Sequence, residues 1–260
     1  MSANDPKVAG VNRRQLLKLV GAAGAGALPV GSATAGDERA PADRTPCGTP
    51  TSQQMPAPAQ NAAPVVPPPA PRYTFFNFEE VLFIEAAVDT FIPADEVGPG
   101  ALELGVAPFI DAQMDSGYGR GDRMYLQGPF IEGTPEQGYQ LRMTPAELIR
   151  AGIKDVDAHC REKYHASFHD TAPPDRNAVL HSLESGAAPL ATVPPRVFFN
   201  LLYELTLQGY FSDPIHGGNY GKGSWKMIGF PGIGGMYADK ISEYHNKRYV
   251  AEPVGIQDLT

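Results

Sequence analysis

The sequence predicts a mainly α-helical domain at residues 73–260, behind a signal segment at 1–35 and a disordered Pro/Ala-rich linker at 36–72. Three observations carry that reading. Of the 26 prolines, ten fall in residues 36–72 and only fourteen in the 188 residues that follow, so the proline richness is local. The formal charge of −8 divides in the same places, as +3 for 1–35, zero for 36–72 and −11 for the remainder. Within that acidic remainder, helix-starting residues precede apolar side chains recurring at helical spacing. A length of 188 residues suits one hydrophobic core. Nucleic acid is a poor partner for so acidic a body, because binding phosphates requires clustered Lys and Arg.

Asn12-Arg13-Arg14-Gln15-Leu16-Leu17-Lys18 opens the chain's first pattern, followed by a weakly apolar run at 19–30 and then Ala33-Thr34-Ala35. This is the layout of a twin-arginine signal with cleavage after Ala35. The apolar run has twelve residues and contains Gly21, Gly24, Gly26 and Pro29, whereas a spanning helix needs about 20 predominantly apolar residues. Export of a folded chain to the periplasm is the expectation. Residues 36–72, with Pro67-Pro68-Pro69 and almost no bulky apolar side chain, are expected to form an extended tether. Cys47 lies within it and is read equally as a cross-linking or a dispensable thiol.

The body's first helix is expected from about Phe78 to Ile92. Asn77 caps it, Glu80 completes the capping box, and Pro93 stops it. A second helix carries Val106, Phe109, Ile110 and Met114, with Pro108 in its first turn. Residues 118–142 have neither helical nor strand periodicity, and a loop of that length tends to be functional or to lie against a partner. Thr144-Pro145-Ala146-Glu147 then starts a third helix, expected to reach about Phe168, with Ile149, Ile153, Val156, Cys160 and Tyr164 on one stripe. His165 and His169 fall four apart on it, a spacing able to chelate a metal, but no third ligand is evident and a polar helix face is the favoured reading. A short helix at 175–184 ends at Gly186. Another opens at Pro194-Pro195, with Phe198, Leu201, Leu202 and Leu205 toward the core.

The most unusual stretch follows: Gln208-Gly209-Tyr210-Phe211-Ser212-Asp213-Pro214-Ile215-His216-Gly217-Gly218-Asn219-Tyr220, then Gly223-Ser224-Trp225-Lys226-Met227-Ile228-Gly229-Phe230-Pro231-Gly232. Its glycine spacing lacks the leading strand and following helix of a dinucleotide-binding turn. Asp213 and His216 form the only tempting acid/base pair, and Asp213-Pro214 is equally turn chemistry. The sequence thus pairs an export signal for folded cargo with no visible cofactor motif in this chain.

Gly128-Pro129-Phe130, Gln137-Gly138-Tyr139-Gln140 before Thr144-Pro145-Ala146-Glu147-Leu148, and, within the two runs above, Phe211 to Asn219 followed by Trp225 to Gly232 resemble the small third subunit of gluconate 2-dehydrogenase. The likeness covers most of residues 75–244. It implies a non-catalytic small subunit of a sugar or sugar-acid dehydrogenase complex. In such a complex a large subunit holds FAD, and a multihaem cytochrome c subunit passes electrons to the membrane quinone pool. The small subunit would bind the large one and take it through the twin-arginine translocon. The resemblance makes Tyr139, Gln140, Asn219 and Trp225 the partner-facing candidates, each of which reads equally as a core or turn residue. Cys160 is open to three readings: an intersubunit disulfide, a buried thiol, or a bridge to Cys47. Two other classes stay open: a stand-alone periplasmic enzyme using Asp213 and His216, and a solute-capture domain.

Overall fold

In the computed structural model the described residues are 72–131, 133–134 and 137–259. They form six α-helices: α1 (Phe78–Phe91), α2 (Val106–Asp115), α3 (Pro145–Tyr164), α4 (Pro173–Ser185), α5 (Pro195–Phe211) and α6 (Gly223–Ile228). Among these residues no β-strand forms, and the isolated bridges are Asp95 with Gly98 and Gly232 with Val254. The predicted mainly α class is the observed one.

Local chemistry accounts for the helix starts. At α1 the Glu80 amide donates to Asn77 Oδ1 at 3.0 Å while the Asn77 amide donates to Glu80 Oε2 at 2.9 Å. Thr144 and Glu147 repeat this reciprocal pair at α3, where Pro145 occupies the first turn. Each box satisfies amides that have no partner within the helix. Gly186 closes α4 at φ 77°, a left-handed position that costs glycine no Cβ clash.

Helix α5 is central and packs against α1, α2, α3 and α4. Its Phe198, Leu202 and Leu205 are buried, whereas Leu201 is only partly buried and lies on the rim of the core. Phe83 of α1 meets Phe168 at 4.6 Å and Phe198 at 6.3 Å between ring centroids. Full burial of each such ring contributes about 1.5–3 kcal/mol. Helices α3 and α5 approach so closely at this point that a Cβ on Gly152 would lie 2.0 Å from the Phe198 ring. Only a hydrogen fits there.

Two elements differ from expectation. Helix α3 ends at Tyr164 rather than Phe168, because His165 adopts a left-handed conformation (φ 57°) and the chain reverses. The reversal lets the Phe168 amide donate to Asp157 Oδ1 at 2.9 Å and sends the Phe168 ring into the core. His165 and His169 therefore do not share a helical face; His169 Nε2 lies 3.4 Å from Asp170. The described residues hold no group of three or more His, Cys, Asp or Glu arranged to bind a metal. The second difference is α6, a short helix that begins at Gly223 without a side-chain cap from the adjoining residue.

Three buried aspartates, unrecognised in the sequence, hold the connections to the helices. Asp111 of α2 accepts from the amides of Thr74, Phe75 and Phe76 at 2.7–3.1 Å and from the Thr74 hydroxyl at 3.1 Å. Asp155 accepts from the Thr192 amide and hydroxyl and from the Val193 amide, fixing the α4–α5 connection. Asp157 takes the Phe168 amide and pairs with Arg161 at 3.4 Å. A carboxylate can accept several such bonds at once, which makes it an effective anchor for turning backbone.

Candidate partner surface

The glycine-rich stretch begins where α5 ends. Asp213 Oδ1 accepts from the Ile215 amide at 3.1 Å and starts the short 3-10 turn Pro214–His216. Gly217 follows at φ 94°. A Cβ on Gly218 would meet the Gly209 carbonyl oxygen at 2.2 Å, so the loop lies directly on the end of α5. Asn219 is fully buried in a left-handed conformation. Its Nδ2 donates to the Ser212 carbonyl at 2.9 Å, and its Oδ1 accepts from the Ser224 amide at 3.0 Å and the Ser224 hydroxyl at 2.8 Å.

This geometry explains the unanticipated α6. Asn219 supplies the acceptor that its first turn needs, from five residues upstream rather than from the adjoining position. Trp225 is 5% exposed; its indole N–H donates to the Phe211 carbonyl at 2.9 Å and its ring meets Phe230 edge-on at 5.2 Å. The expectation that Asn219 and Trp225 face outward differs from the fold for one reason. Their polar groups are spent joining α5 to α6, so they set the shape of this surface from below. The large apolar side chains that do reach solvent here are Ile215, Ile228 and Phe230.

The described residues between 116 and 143 are braced in the same manner. Tyr139 is partly exposed and its hydroxyl donates to the Met143 carbonyl at 2.6 Å. Burial, followed by the nearby Glu147 and Tyr118, pushes that hydroxyl up to about 12. Gln140 closes its own loop, accepting from the Gly133 amide at 2.6 Å and donating to the Thr134 carbonyl at 3.2 Å. The most exposed large apolar side chains of the segment are Tyr125 at 81% and Ile131 at 76%; the aromatic residues Tyr125, Phe130 and Tyr139 suggest packing in the sequence, and Tyr125 instead stands open. Tyr139 and Gln140 thus stand at the surface beside residues more open than themselves.

Asp213 and His216 do not form a positioned acid/base pair. The second Asp213 oxygen accepts from the Ile256 amide at 2.8 Å, and His216 meets Asp213 through its backbone amide, which donates to the Asp213 carbonyl at 3.0 Å, while its exposed ring makes no hydrogen bond to the carboxylate among the described residues. Arg13, Arg14, Ala35 and Cys47 lie outside the described residues.

Cys160 is a free thiol buried in the stripe of α3. Burial, with a smaller contribution from Asp157, pushes it up to about 11 from an ordinary 9.0. A raised value means the thiol favours the folded state below pH 9, and that contribution fades as pH rises through 11. At pH 8 its thiolate should be about 100-fold scarcer than in the unfolded chain. Peptide mapping after iodoacetamide treatment should find Cys160 unmodified in the native chain and modified in denaturant. Rapid native labelling would contradict its burial. A disulfide to another subunit would require this part of α3 to open.

The fold and this surface define a helical domain that presents ordered, internally braced loops. Among the described residues no helix is long and apolar enough to cross a membrane. Residues 79–232 match the family model for gluconate 2-dehydrogenase subunit 3, and the chain belongs to that family. It is accordingly a subunit of a dehydrogenase complex. No curated protein and no solved structure matches it.

Proposed function

We propose that this chain is the non-catalytic small subunit of a periplasmic, membrane-associated sugar or sugar-acid dehydrogenase. It binds a FAD-containing large subunit and escorts it through the twin-arginine translocon, and a multihaem cytochrome c subunit receives the electrons. Family membership over residues 79–232 carries the reading. The Arg13-Arg14 motif supports it, since a signal that handles folded chains suits a flavoprotein loaded with its cofactor before export.

The braced loops are consistent with this role. A surface already fixed in the free chain loses little ordering entropy on binding, which favours lasting association. Interfaces of that kind centre on desolvated aromatic and aliphatic side chains. Ile215, Phe230, Tyr125 and Ile131 are the exposed side chains that suit such a contact.

Affinity purification of the tagged chain from native membranes checks the proposal. It should recover a flavin-bearing polypeptide, with sugar-acid oxidation by an artificial acceptor following that polypeptide through later separation. Activity that stayed with this chain after the flavin polypeptide was removed would contradict a non-catalytic role.

A further inference from the structure

The C-terminal segment beyond the family match folds back onto the glycine-rich loop through three separate attachments. Lys222 Nζ donates to the Pro253 carbonyl at 3.0 Å and pairs with Asp258. Asp258 Oδ2 also accepts from the Gly255 amide at 2.6 Å. Asp213 ties the Ile256 amide to the first turn of the loop. The Val254 amide donates to the Pro231 carbonyl, and the Ile233 amide to the Val254 carbonyl, both at 3.0 Å.

Lys222 itself is strained. It sits at φ 58°, ψ 34°, a left-handed conformation that crowds the Cβ of an L-residue against its following carbonyl oxygen. Asn219 at φ 51° offsets a similar cost with three side-chain hydrogen bonds to its neighbours. Lysine has no short polar group to do so. What its conformation achieves is to aim the ammonium at the C-terminal segment, where two acceptors hold it. Strain of this kind persists only when the surroundings fix it.

We propose that residues 253–258 form a latch that locks the loop 213–222, with Lys222 as the catch and Asp258 as its principal keeper. The hold is largely polar. Pro253 is buried, but Ile256 and Leu259 remain exposed, so little apolar area is lost when the segment lifts. The Lys222–Asp258 pair is partly open to solvent, and salt weakens such pairs. Opening therefore belongs to the low end of the stability scale and leaves the helical core closed. When it opens, Lys222 relaxes to an ordinary conformation, and Asp213 and the Pro231 carbonyl each lose a partner. The loop then has two states, one ordered and one loose. The Lys222 and Asp258 side chains set the balance between them.

Hydrogen exchange on the full-length chain tests the latch. Asp258→Ala should speed exchange about tenfold at residues 254–256 and equally at 215–224, the scale of one charge-assisted bond. Exchange in α1, α3 and α5 should not change. Lys222→Gly should loosen residues 254–256 to the same degree without lowering the melting temperature, because it removes the strained conformation together with the catch. Lys222→Arg should restore protection. Three outcomes would overturn the proposal: unchanged exchange at 254–256 in Asp258→Ala, a loosened C-terminal segment over an unaffected loop, or faster exchange throughout the helices.

Discussion

Replacing Asp111 by alanine should lower the stability of the folded body by about 2–4 kcal/mol, a large share of the 5–15 kcal/mol typical of a whole domain. The carboxylate is 1% exposed and serves three consecutive amides and a hydroxyl, all from residues 74–76. Removing it leaves those donors facing a methyl group in a site that water reaches poorly. The segment it holds carries other contacts. Tyr73 donates to Glu85 at 2.6 Å, and its hydroxyl is held well above the usual tyrosine value by burial and then by Glu85. Arg150 donates to the Phe75 carbonyl at 2.6 Å and lies 3.8 Å over the Phe75 ring. Loss of Asp111 should therefore loosen residues 73–76 as a unit.

In a domain of this length such a loss corresponds to a fall of about 6–12 °C in melting temperature. Asp111→Asn should fall between wild type and alanine, since its carbonyl still accepts but carries no charge. Calorimetry of the three proteins checks the series. A loss of less than about 0.5 kcal/mol for alanine would mean that water replaces the carboxylate and that the anchor is dispensable.

The same residue shows where sequence reasoning stopped. Starts of α1 and α3 were legible because a capping box is written within four residues, as Asn77 to Glu80 and Thr144 to Glu147. The Pro195 start and the Gly186 stop were legible because proline in a first turn and glycine after a last turn are equally local signals. Asp111 gave no such signal, because the amides it serves lie 35–37 residues earlier and only the fold brings them together. Asp155 is alike, with partners 37 and 38 residues ahead. An aspartate amid the apolar stripe of a helix was the available clue. In both helices it lies directly beside a fully buried apolar residue, Ile110 or Val156.

The surface was legible in outline. Its glycine-rich and aromatic character was plain, but composition does not say which way a side chain points. Asn219 and Trp225 stand out in the sequence for their position in the motifs, and the fold uses them to join α5 and α6. Tyr125 and Ile131 carry no motif and stand open. Helix α6 was missed because its acceptor comes from a left-handed asparagine in the preceding turn, a geometry without a short sequence signature.

The escort role makes a sharper prediction, with an effect close to all or none. A large subunit without its own signal can cross as folded cargo only while bound to a chain that has one. Arg13 and Arg14 are then required for two proteins at once. Replacing both by lysine preserves the charge of the segment and removes the paired guanidinium groups, which lysine does not imitate in geometry or hydrogen bonding. The body at residues 73–260 is untouched, so complex formation should persist in the cytoplasm.

The decisive measurement is the location of the flavoprotein in cells expressing either the wild-type chain or the Arg13→Lys, Arg14→Lys variant, followed by fractionation and flavin assay. The account predicts periplasmic flavoprotein with the wild type. With the variant it predicts cytoplasmic retention of both subunits, still bound to one another. Flavoprotein reaching the periplasm in normal amount with the variant would contradict it.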